Sequence, residues 1–406
     1  MAAALGVLVS CGSVKSGEEA IAASRESKVV VAYVTSWSEV MPDPQYMTHI
    51  NYAFGHVNES FNGVKIDNEE RLRQIVDLRK QKPELKVLLS IGGWGSGRFS
   101  EMAANDEYRR AFAADCDRVV KEFALDGIDI DWEYPTSSMA NISSSPDDTE
   151  NFTLLMQDIR AAIGNEKELT LATVASARYI DFKAILPSVD FVNIMAYDMA
   201  SAPKHHSALY PSGHSGDITS DGAVTAHLKA GVPPSKLVMG MPFYGRGGDG
   251  YPSFQDYNKV GNTDTQYTEK WDEVAQVPYL ADKNDTLVFG FENPRSLAIK
   301  CQYILDKDLL GGMYWDYSGD NEQGDLRRTV AENLLGKPHK AKVLVLTERG
   351  GQHGGFTDAG LRWLAAEGAK GNFSITEINN ARNITEAYLS QFSLVIQLDF
   401  PPYTWP

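Results

Sequence analysis

The residues best suited to chemistry lie in one short segment that runs from Asp126 to Pro135. In an extended chain side chains alternate, so Asp129, Asp131 and Glu133 share one face and the apolar residues between them share the other. If the apolar face packs against helices, the acidic face points into the protein. Mutual repulsion and the loss of water then raise the pKa of at least one carboxyl group. This arrangement suits a proton donor that stays protonated near neutral pH.

Two kinds of chemistry use carboxylates that point inward. A divalent cation binds carboxylate oxygens, often with histidine nearby, and the chain contains His205, His206 and His214. These histidines stand in a loop rich in serine, proline and glycine, so we interpret them as solvated and predict no metal site. The other chemistry is cleavage of a sugar bond, in which a carboxylic acid protonates the leaving oxygen. Glu133 stands at the end of its predicted strand, which favours this second chemistry.

Short β-rich runs alternate with longer amphipathic runs from Lys28 to about Leu335. The predicted strands are Val29–Val34, His49–Phe54, Lys86–Ile91, Leu125–Asp131, Leu169–Ala175, Phe191–Tyr197, Leu237–Phe243 and Gly312–Asp316. The predicted helices include Glu69–Gln81, Asp106–Ala124, Thr149–Ile163 and Pro294–Lys307. Strands that each need a helical crossover predict an α/β fold of the (β/α)8 TIM-barrel type. A doubly wound open sheet is the alternative, but no glycine-rich phosphate-binding fingerprint follows the first strand.

The carboxylate segment resembles the Asp-x-x-Asp-x-Asp-x-Glu signature of glycoside hydrolase family 18, the chitinases and their relatives. Four more segments at predicted strand ends resemble motifs of that family: Ser90-Ile91-Gly92-Gly93, Met195-Ala196-Tyr197-Asp198, Met241-Pro242-Phe243-Tyr244-Gly245-Arg246 and Met313-Tyr314-Trp315-Asp316. All of them occur in order within residues 28–336. The resemblance implies a TIM-barrel glycosidase that acts on N-acetylglucosamine polymers or oligomers and needs no cofactor.

The resemblance also implies a retaining, substrate-assisted mechanism. Glu133 would protonate the glycosidic oxygen, and the substrate's own 2-acetamido carbonyl would attack the anomeric carbon to form an oxazolinium ion. Asp131 would hold the acetamide N–H, and Asp129 would share a proton with Asp131. Tyr197 would donate its hydroxyl to the acetamide oxygen. Water would then open the oxazolinium ion, with Glu133 acting as the base.

Other side chains would support this group. Ser90 and Tyr33 would be hydrogen-bond partners of Asp129, and Tyr33 would also face the substrate. Asp126 is out of phase with the other three carboxylates and would hold the start of the strand by hydrogen bonds. Trp315 would form the floor beneath the reacting sugar. The remaining predicted substrate-binding side chains are Asp198, Tyr244, Arg246, Trp94, Phe54 and Met195. Core packing is the alternative role for the last two of these.

Two departures from the family pattern bear on the substrate. About 45 residues separate Arg246 from Phe291, where many family members insert a larger α+β domain. We therefore predict a short insertion between barrel strands 7 and 8, a shallow cleft and little processivity. Trp132 stands where enzymes that act on N-glycans often carry another residue, which favours chitin oligomers. An endo-acting enzyme on N-glycan cores or peptidoglycan is an alternative, and so is a non-catalytic chitin-binding lectin.

Residues 1–27 have the pattern of a leader followed by a tether. Leu8-Val9-Ser10-Cys11 resembles a bacterial lipoprotein box, in which the cysteine is lipidated and becomes the mature N-terminus. A frayed apolar tail is the alternative. The polar run that follows Cys11 has few large apolar residues to bury. We therefore expect a lipoprotein of the bacterial envelope or surface, or otherwise a secreted protein, that meets the membrane only through lipid on Cys11.

The charge balance excludes some partners. The 406 residues include 38 Lys and Arg against 54 Asp and Glu, a net charge of −16. This balance disfavours nucleic acid and anionic membrane surfaces and suits an uncharged sugar polymer. No apolar run reaches the ~18 residues needed to span a bilayer. We expect a monomer in which Cys116 and Cys301 are buried free thiols.

A polar hinge, Gly336–Lys340, precedes a separate C-terminal segment, residues 341–406. We predict strands at Lys342–Leu346 and Leu394–Leu398 and a helix at Thr357–Glu367, too little for an independent α/β domain. The first of these strands, with the glycine-rich run that follows it, resembles the start of a trehalose-utilisation (ThuA-like) domain. We therefore predict an incomplete α/β domain here, with an extension packed on the barrel as the alternative.

Overall fold

The protein is described by a computed structural model that divides into two compact units, one up to Leu335 and one from Gly336. The described residues are 28–248, 251–260, 267–336, 341–347, 354–368, 373–378, 384–389, 392 and 394–398. The predicted leader, the tether and Cys11 lie outside these ranges. No helix among the described residues is long and apolar enough to cross a membrane.

The first unit is built on parallel strands. In chain order its strands are β1 (Val29–Thr35), β2 (His49–Val57), β3 (Val64–Ile66), β4 (Lys86–Gly92), β5 (Gly127–Asp131), β6 (Glu168–Val174), β7 (Phe191–Met195), β8 (Leu237–Pro242), β9 (Tyr244–Gly247), β10 (Gln255–Asp256), β11 (Thr268–Asp272), β12 (Val277–Ala281), β13 (Leu287–Gly290) and β14 (Gly311–Trp315). Among the described residues, eight parallel strands pair in the order β1-β14-β8-β7-β6-β5-β4-β2, and β2 pairs with β1 to close the ring. The predicted TIM barrel is confirmed.

Helices lie between the barrel strands. They are α1 (Glu69–Val76), α2 (Phe99–Ala104), α3 (Asp106–Glu122), α4 (Asp148–Ile163), α5 (Phe182–Ile185), α6 (Ser220–Lys229), α7 (Pro294–Asp306) and α8 (Asp325–Leu334). Their starts follow ordinary capping rules: the Asn105 side chain accepts from two backbone N–H groups of α3, and Asn293 forms a capping box with Ser296 on α7. The predicted helix 69–81 ends as α-helix at Val76 and continues as a 3-10 turn, Asp77–Lys80.

The alternation predicted for β5 is present. Ile128, Ile130 and Trp132 are buried in the layer between strands and helices, where the Trp132 ring stacks on Phe99 of α2 with centroids 5.2 Å apart. Asp129 and Asp131, on the opposite face, point into the barrel and are also buried. The packing of the apolar face therefore fixes the direction of the carboxylates, because a shift of one residue would exchange the two faces.

The insertion between the seventh and eighth barrel strands, β8 and β14, is short. Its described residues form an antiparallel sheet of five strands in the order β10-β9-β13-β12-β11. Its core includes Leu280, Phe289 and Phe291. This is a compact flap of short strands, consistent with the short insertion that the sequence predicts.

The second unit contains a parallel sheet. Its elements are β15 (Ala341–Thr347), α9 (Gly354–Glu367), β16 (Phe373–Ile378), α10 (Glu386–Leu389) and β17 (Leu394–Leu398), and the described strands pair in the order β16-β15-β17. The sequence pattern does not predict β16, because Ser374 and Thr376 on one face and Glu377 on the other interrupt the apolar residues of both faces. Side chains of β15 are buried on both faces, as expected of the central strand of a parallel sheet.

Candidate active site

A cavity of about 620 Å³ opens at the carboxyl ends of the barrel strands. Three of the four predicted catalytic side chains line it: Asp131, Glu133 and Tyr197. All eight predicted substrate-binding side chains line it as well: Trp315, Asp198, Tyr244, Arg246, Trp94, Tyr33, Phe54 and Met195. TIM-barrel enzymes carry their active sites at this end, because the strands of the barrel deliver side chains to one place.

Asp129 lies beneath the cavity and is fully buried. Ser90 and Thr170 stand in register with it on the neighbouring strands β4 and β6, so their hydroxyls point at its carboxylate. The Ser90 hydroxyl donates at 2.8 Å, Thr170 at 2.6 Å, the Tyr33 hydroxyl at 2.9 Å and the Asn193 amide at 3.3 Å. Burial raises the pKa of Asp129, and these four hydrogen bonds oppose that rise.

Asp131 lies one step further along the same face, at the floor of the cavity. Its Oδ1 is buried without a hydrogen-bond partner among the described residues. Burial, then the charges of Glu133 and Asp129, raise the pKa of Asp131 well above its ordinary value. Asp131 therefore lines the cavity with one carboxyl oxygen that no described group satisfies.

The approach of β4 to Asp131 depends on glycine. A Cβ atom on Gly92 would lie 1.9 Å from the Asp131 carbonyl oxygen, and one on Gly93 would lie 2.6 Å from the Phe54 ring. Both glycines also have positive φ angles, which other residues rarely adopt. This close contact explains the two glycines of the Ser90–Gly93 segment.

Glu133 is half-buried in the wall of the cavity, just beyond the end of β5. Burial raises the pKa of Glu133 to about 7, a hydrogen bond from Tyr134 opposes the rise, and the charge of Asp198 adds to it. At neutral pH this carboxyl group is therefore protonated in a large fraction of molecules. A carboxylic acid of this kind can donate a proton and, once ionised, can accept one.

Tyr197, just after β7, and Trp315, at the end of β14, line the cavity together with the carboxylates. Burial and the charges of Asp131, Glu133 and Asp198 raise the pKa of Tyr197 well above its ordinary value, so its hydroxyl stays a donor. That hydroxyl lies 3.9 Å from the Met313 sulfur. The Trp315 ring stacks near Phe54, with centroids 5.5 Å apart, and forms an apolar surface in the cavity wall.

Asp198 and Arg246 form a paired clamp at the edge of the cavity. Two guanidinium nitrogens of Arg246 donate to the two carboxylate oxygens of Asp198 at 2.7 and 2.6 Å. Although burial opposes it, the hydrogen bonds from Arg246 and the nearby His206 ring lower the pKa of Asp198 well below its ordinary value. Asp198 is therefore a permanent negative charge beside Glu133. The ring of Tyr244 lies 6.1 Å from that of Tyr197 and packs against Phe254.

Some predicted residues lie elsewhere. Asp126 stands at the amino end of β5, opposite the cavity, where its side chain pairs with Arg79 and accepts from the Val87 N–H at 2.7 Å. It ties down the strand start and does not support the carboxylates of the site. The interpretation of His205 and His206 as solvated is wrong, because both side chains are buried against the described residues of the insertion and the site.

The sequence analysis missed several side chains of the cavity wall. Trp37 lies over Trp315 and Phe54 and is 64% exposed, and Tyr134 stacks on Tyr179 with centroids 5.6 Å apart. Met139 and Phe254 also line the cavity. Tyr134 could have been found, because it follows Glu133 within the same segment. The others come from loops, whose course no strand or helix pattern predicts.

The described residues contain no group of three or more histidine, cysteine, aspartate or glutamate side chains arranged to hold a metal ion. Cys116 and Cys301, predicted as buried free thiols, are both free and buried. The side chains that line the cavity offer carboxyl, hydroxyl and guanidinium groups and aromatic rings.

A TIM barrel with an acidic β5 and an aromatic cavity at the carboxyl end has the arrangement expected of a glycoside hydrolase. The family "Glycosyl hydrolases family 18" matches residues 29–320, and the chain belongs to this family. Since that match ends within the first unit, the ThuA-like resemblance of the second unit stays a prediction.

Relatives and solved structures agree with this assignment. Chitinase A1 of Niallia circulans is 29% identical, in a match that covers 75% of this chain and 58% of that protein. Chitotriosidase-1 of Mus musculus is 31% identical, in a match that covers 73% of this chain and 74% of that protein. The structure of a family 18 N-acetylglucosaminidase from Paenibacillus barengoltzii matches with a TM-score of 0.69 and 32% identity, over 75% of this chain and 99% of that one.

Proposed function

We propose that the protein hydrolyses β-1,4 bonds between N-acetylglucosamine units of chitin or chitin oligomers, with retention of configuration. The observation that carries this proposal is the position of Glu133, whose pKa burial raises to about 7, in the wall of a cavity that Asp131 and Tyr197 also line. Chitinases among the relatives support the substrate class.

In this proposal Glu133 protonates the glycosidic oxygen. The 2-acetamido carbonyl of the bound sugar attacks the anomeric carbon, so the nucleophile is already attached and needs only orientation. Asp131, which has an unpartnered buried oxygen, accepts the acetamide N–H and stabilises the positive charge of the oxazolinium ion. Tyr197 donates its hydroxyl to the acetamide oxygen.

The remaining walls hold the sugar. Trp315 stacks on the apolar face of the reacting pyranose, and Tyr33 and Phe54 support that indole from below. Arg246 and Asp198 face the sugar hydroxyl groups, and Trp94, 62% exposed, stacks on the leaving-group side. After the leaving group departs, ionised Glu133 takes a proton from water, which opens the oxazolinium ion on the face that retains the β configuration.

The test is to incubate the protein with chitopentaose and, separately, with a high-mannose glycopeptide, and to follow the products by time-resolved proton NMR. The proposal predicts products from chitopentaose that are first β-anomeric and then mutarotate. Cleavage of the glycopeptide alone would move the protein to enzymes that process N-glycans. Products that are first α-anomeric would contradict retention.

We also propose that the mature protein is held at the bacterial envelope by lipid on Cys11, on the strength of the Leu8–Cys11 segment. The full chain, expressed in a bacterium fed a radiolabelled fatty acid, should incorporate label and sediment with membranes. The Cys11→Ser variant should do neither. Equal labelling of both proteins would contradict this proposal.

A further inference from the structure

The loop after β7 passes behind the cavity and carries two buried histidines. The His206 carbonyl accepts from the Met199 N–H at 3.0 Å, and the His205 N–H donates to the His214 carbonyl at 2.7 Å. The side chains of His205 and His206 are 1% and 0% exposed. Burial of a histidine without a structural partner costs free energy, so the environment of each ring is informative.

His206 contacts the clamp at the edge of the cavity. Its Nδ1 lies 3.5 Å from Asp198 Oδ1, the same oxygen that accepts from Arg246. Its ring also packs against Tyr244, with centroids 5.4 Å apart. His206 therefore touches both Asp198 and an aromatic residue of the cavity wall, although it does not line the cavity itself.

The next residue along the chain is anchored by a buried ion pair. Lys300 of α7 and Glu292, just before that helix, pair with both side chains fully buried. The Lys300 ammonium donates to the Ser207 carbonyl at 2.5 Å, and the Ser207 hydroxyl donates to Glu292 at 2.6 Å. Both members of the ion pair therefore also form a hydrogen bond with Ser207, the residue that follows His206.

Stability alone is a poor explanation for this pair. Removing two charges from water costs so much that a buried ion pair contributes little net stability compared with apolar side chains of the same size. What the pair does supply is a fixed position for Ser207, and therefore for the neighbouring His206 ring.

We propose that His206 is a positioning residue that holds Asp198 beside Glu133, and that the Lys300–Glu292 pair anchors His206 for this purpose. The proposal rests on the role of Glu133 in the proposed function. Asp198 has a left-handed backbone conformation, with φ of 53°, just after the end of β7. Its direction is therefore set by its partners, and not by the strand.

The first test compares His206→Ala with His206→Asn on chitopentaose, by product chromatography across a range of pH. Loss of the His206 ring should lower kcat/KM about tenfold, because a displaced Asp198 no longer orients the site. The amide of His206→Asn keeps a polar N–H group near Asp198, so that variant should recover most of the loss. Equal impairment of both variants would overturn the proposal.

The pH profile gives a readout that a merely structural role would not move. The groups that face Glu133 are Asp131 on β5, the adjacent Tyr134, and Tyr197 and Asp198 after β7. With Asp198 displaced, its negative charge raises the pKa of Glu133 less. The alkaline limb of kcat/KM should therefore move to lower pH in His206→Ala.

The second test removes the anchor. The double variant Lys300→Met with Glu292→Met leaves no unpaired buried charge, so it should fold, as measured by circular dichroism. It should show the same direction of change in kcat/KM and in the alkaline limb as His206→Ala. The control is Arg109→Met, which breaks the partly buried pairs of Arg109 with Asp106 on α3 and Asp158 on α4, away from the cavity. It should lower Tm and leave the pH limb in place.

The outcomes separate this proposal from the proposed function. Wild-type kcat/KM and an unmoved alkaline limb in His206→Ala would overturn the positioning role. If Glu133→Gln, assayed in parallel, retains turnover, the proposed function itself fails. Loss of turnover in Glu133→Gln with an unaffected His206→Ala would defeat the positioning role alone.

Discussion

Asp129 and Asp131 stand two residues apart on the same face of β5, yet their surroundings differ sharply. Four described side chains donate to the carboxylate of Asp129, whereas Oδ1 of Asp131 has no partner among the described residues. Burial raises the pKa of both, but the rise at Asp131 is the larger and has no hydrogen bonds to oppose it. Asp129 is therefore a fixed anchor, and Asp131 is the carboxyl group left for a ligand.

This difference predicts that Asp131→Asn mainly lowers kcat, whereas Asp129→Asn mainly lowers the free energy of unfolding. Asp131→Asn should lower kcat on chitopentaose on the order of 10²-fold, because the amide cannot carry the negative charge that offsets the developing positive charge, with little change in stability. Asp129→Asn should lower the free energy of unfolding by about 1–3 kcal/mol, because its donors lose an acceptor. Urea unfolding and steady-state kinetics measure both. A greater loss of stability in Asp131→Asn, with unchanged kcat, would contradict these roles.

The Tyr197 hydroxyl provides a second test. Tyr197→Phe keeps the ring against Tyr244 and removes only the donor. We expect kcat to fall more than KM rises, because orienting the acetamide group for attack matters more than binding it. Presteady-state and steady-state rates on chitopentaose would measure the two effects. A variant in which KM alone changes would show that the hydroxyl serves only binding.

The raised pKa of Glu133 predicts the pH dependence. Glu133 acts as an acid only when protonated, so kcat/KM should fall as pH rises through about 7. Asp198→Asn removes a negative charge that raises this pKa, so its alkaline limb should lie at lower pH. Asp77→Asn, an exposed carboxylate paired with Lys80, is the matched control and should leave the limb unchanged. A limb at higher pH in Asp198→Asn would reverse the expected sign.

The short insertion predicts how the enzyme meets long chains. Its described residues supply only short antiparallel strands, so we expect them to contact only a short length of a bound polymer. We expect low processivity on chitin. The early soluble products should therefore be of mixed length when separated by chromatography. Successive release of dimer as the dominant product would contradict this prediction.

The positions of the central carboxylates can be predicted from the sequence, because strand periodicity and register determine them. The alternation on β5 predicts that Asp129 and Asp131 face inward, and register across β4, β5 and β6 brings Ser90 and Thr170 to Asp129. Thr170 was nevertheless missed, because one threonine in an apolar strand has no distinctive spacing. The residues predicted to bind substrate came from the family resemblance, because spacing alone does not indicate them.

The course of the loops does not follow from strand or helix periodicity. His206 and Lys300 are far apart in sequence, and only tertiary packing brings their segments together. The polar composition of the loop therefore led to the wrong prediction that His206 is exposed to solvent. The peptide bonds before Phe54, Tyr134 and Asp316 are cis, and no residue pattern without proline predicts that. Trp37 lies in a loop after β1, and no sequence pattern predicts that this loop places its ring in the cavity wall.

The central claim is that Glu133 supplies the proton, and Glu133→Gln tests it most directly. The amide keeps the shape of the side chain and cannot donate an acidic proton, so binding of chitopentaose, measured by calorimetry, should change little. The variant should fold and be at least as stable as the wild type at pH 8, where the buried carboxyl group is ionised at a cost. Turnover of chitopentaose should fall by about 10³-fold or more. Turnover within tenfold of the wild type would contradict the assignment of Glu133 as the acid.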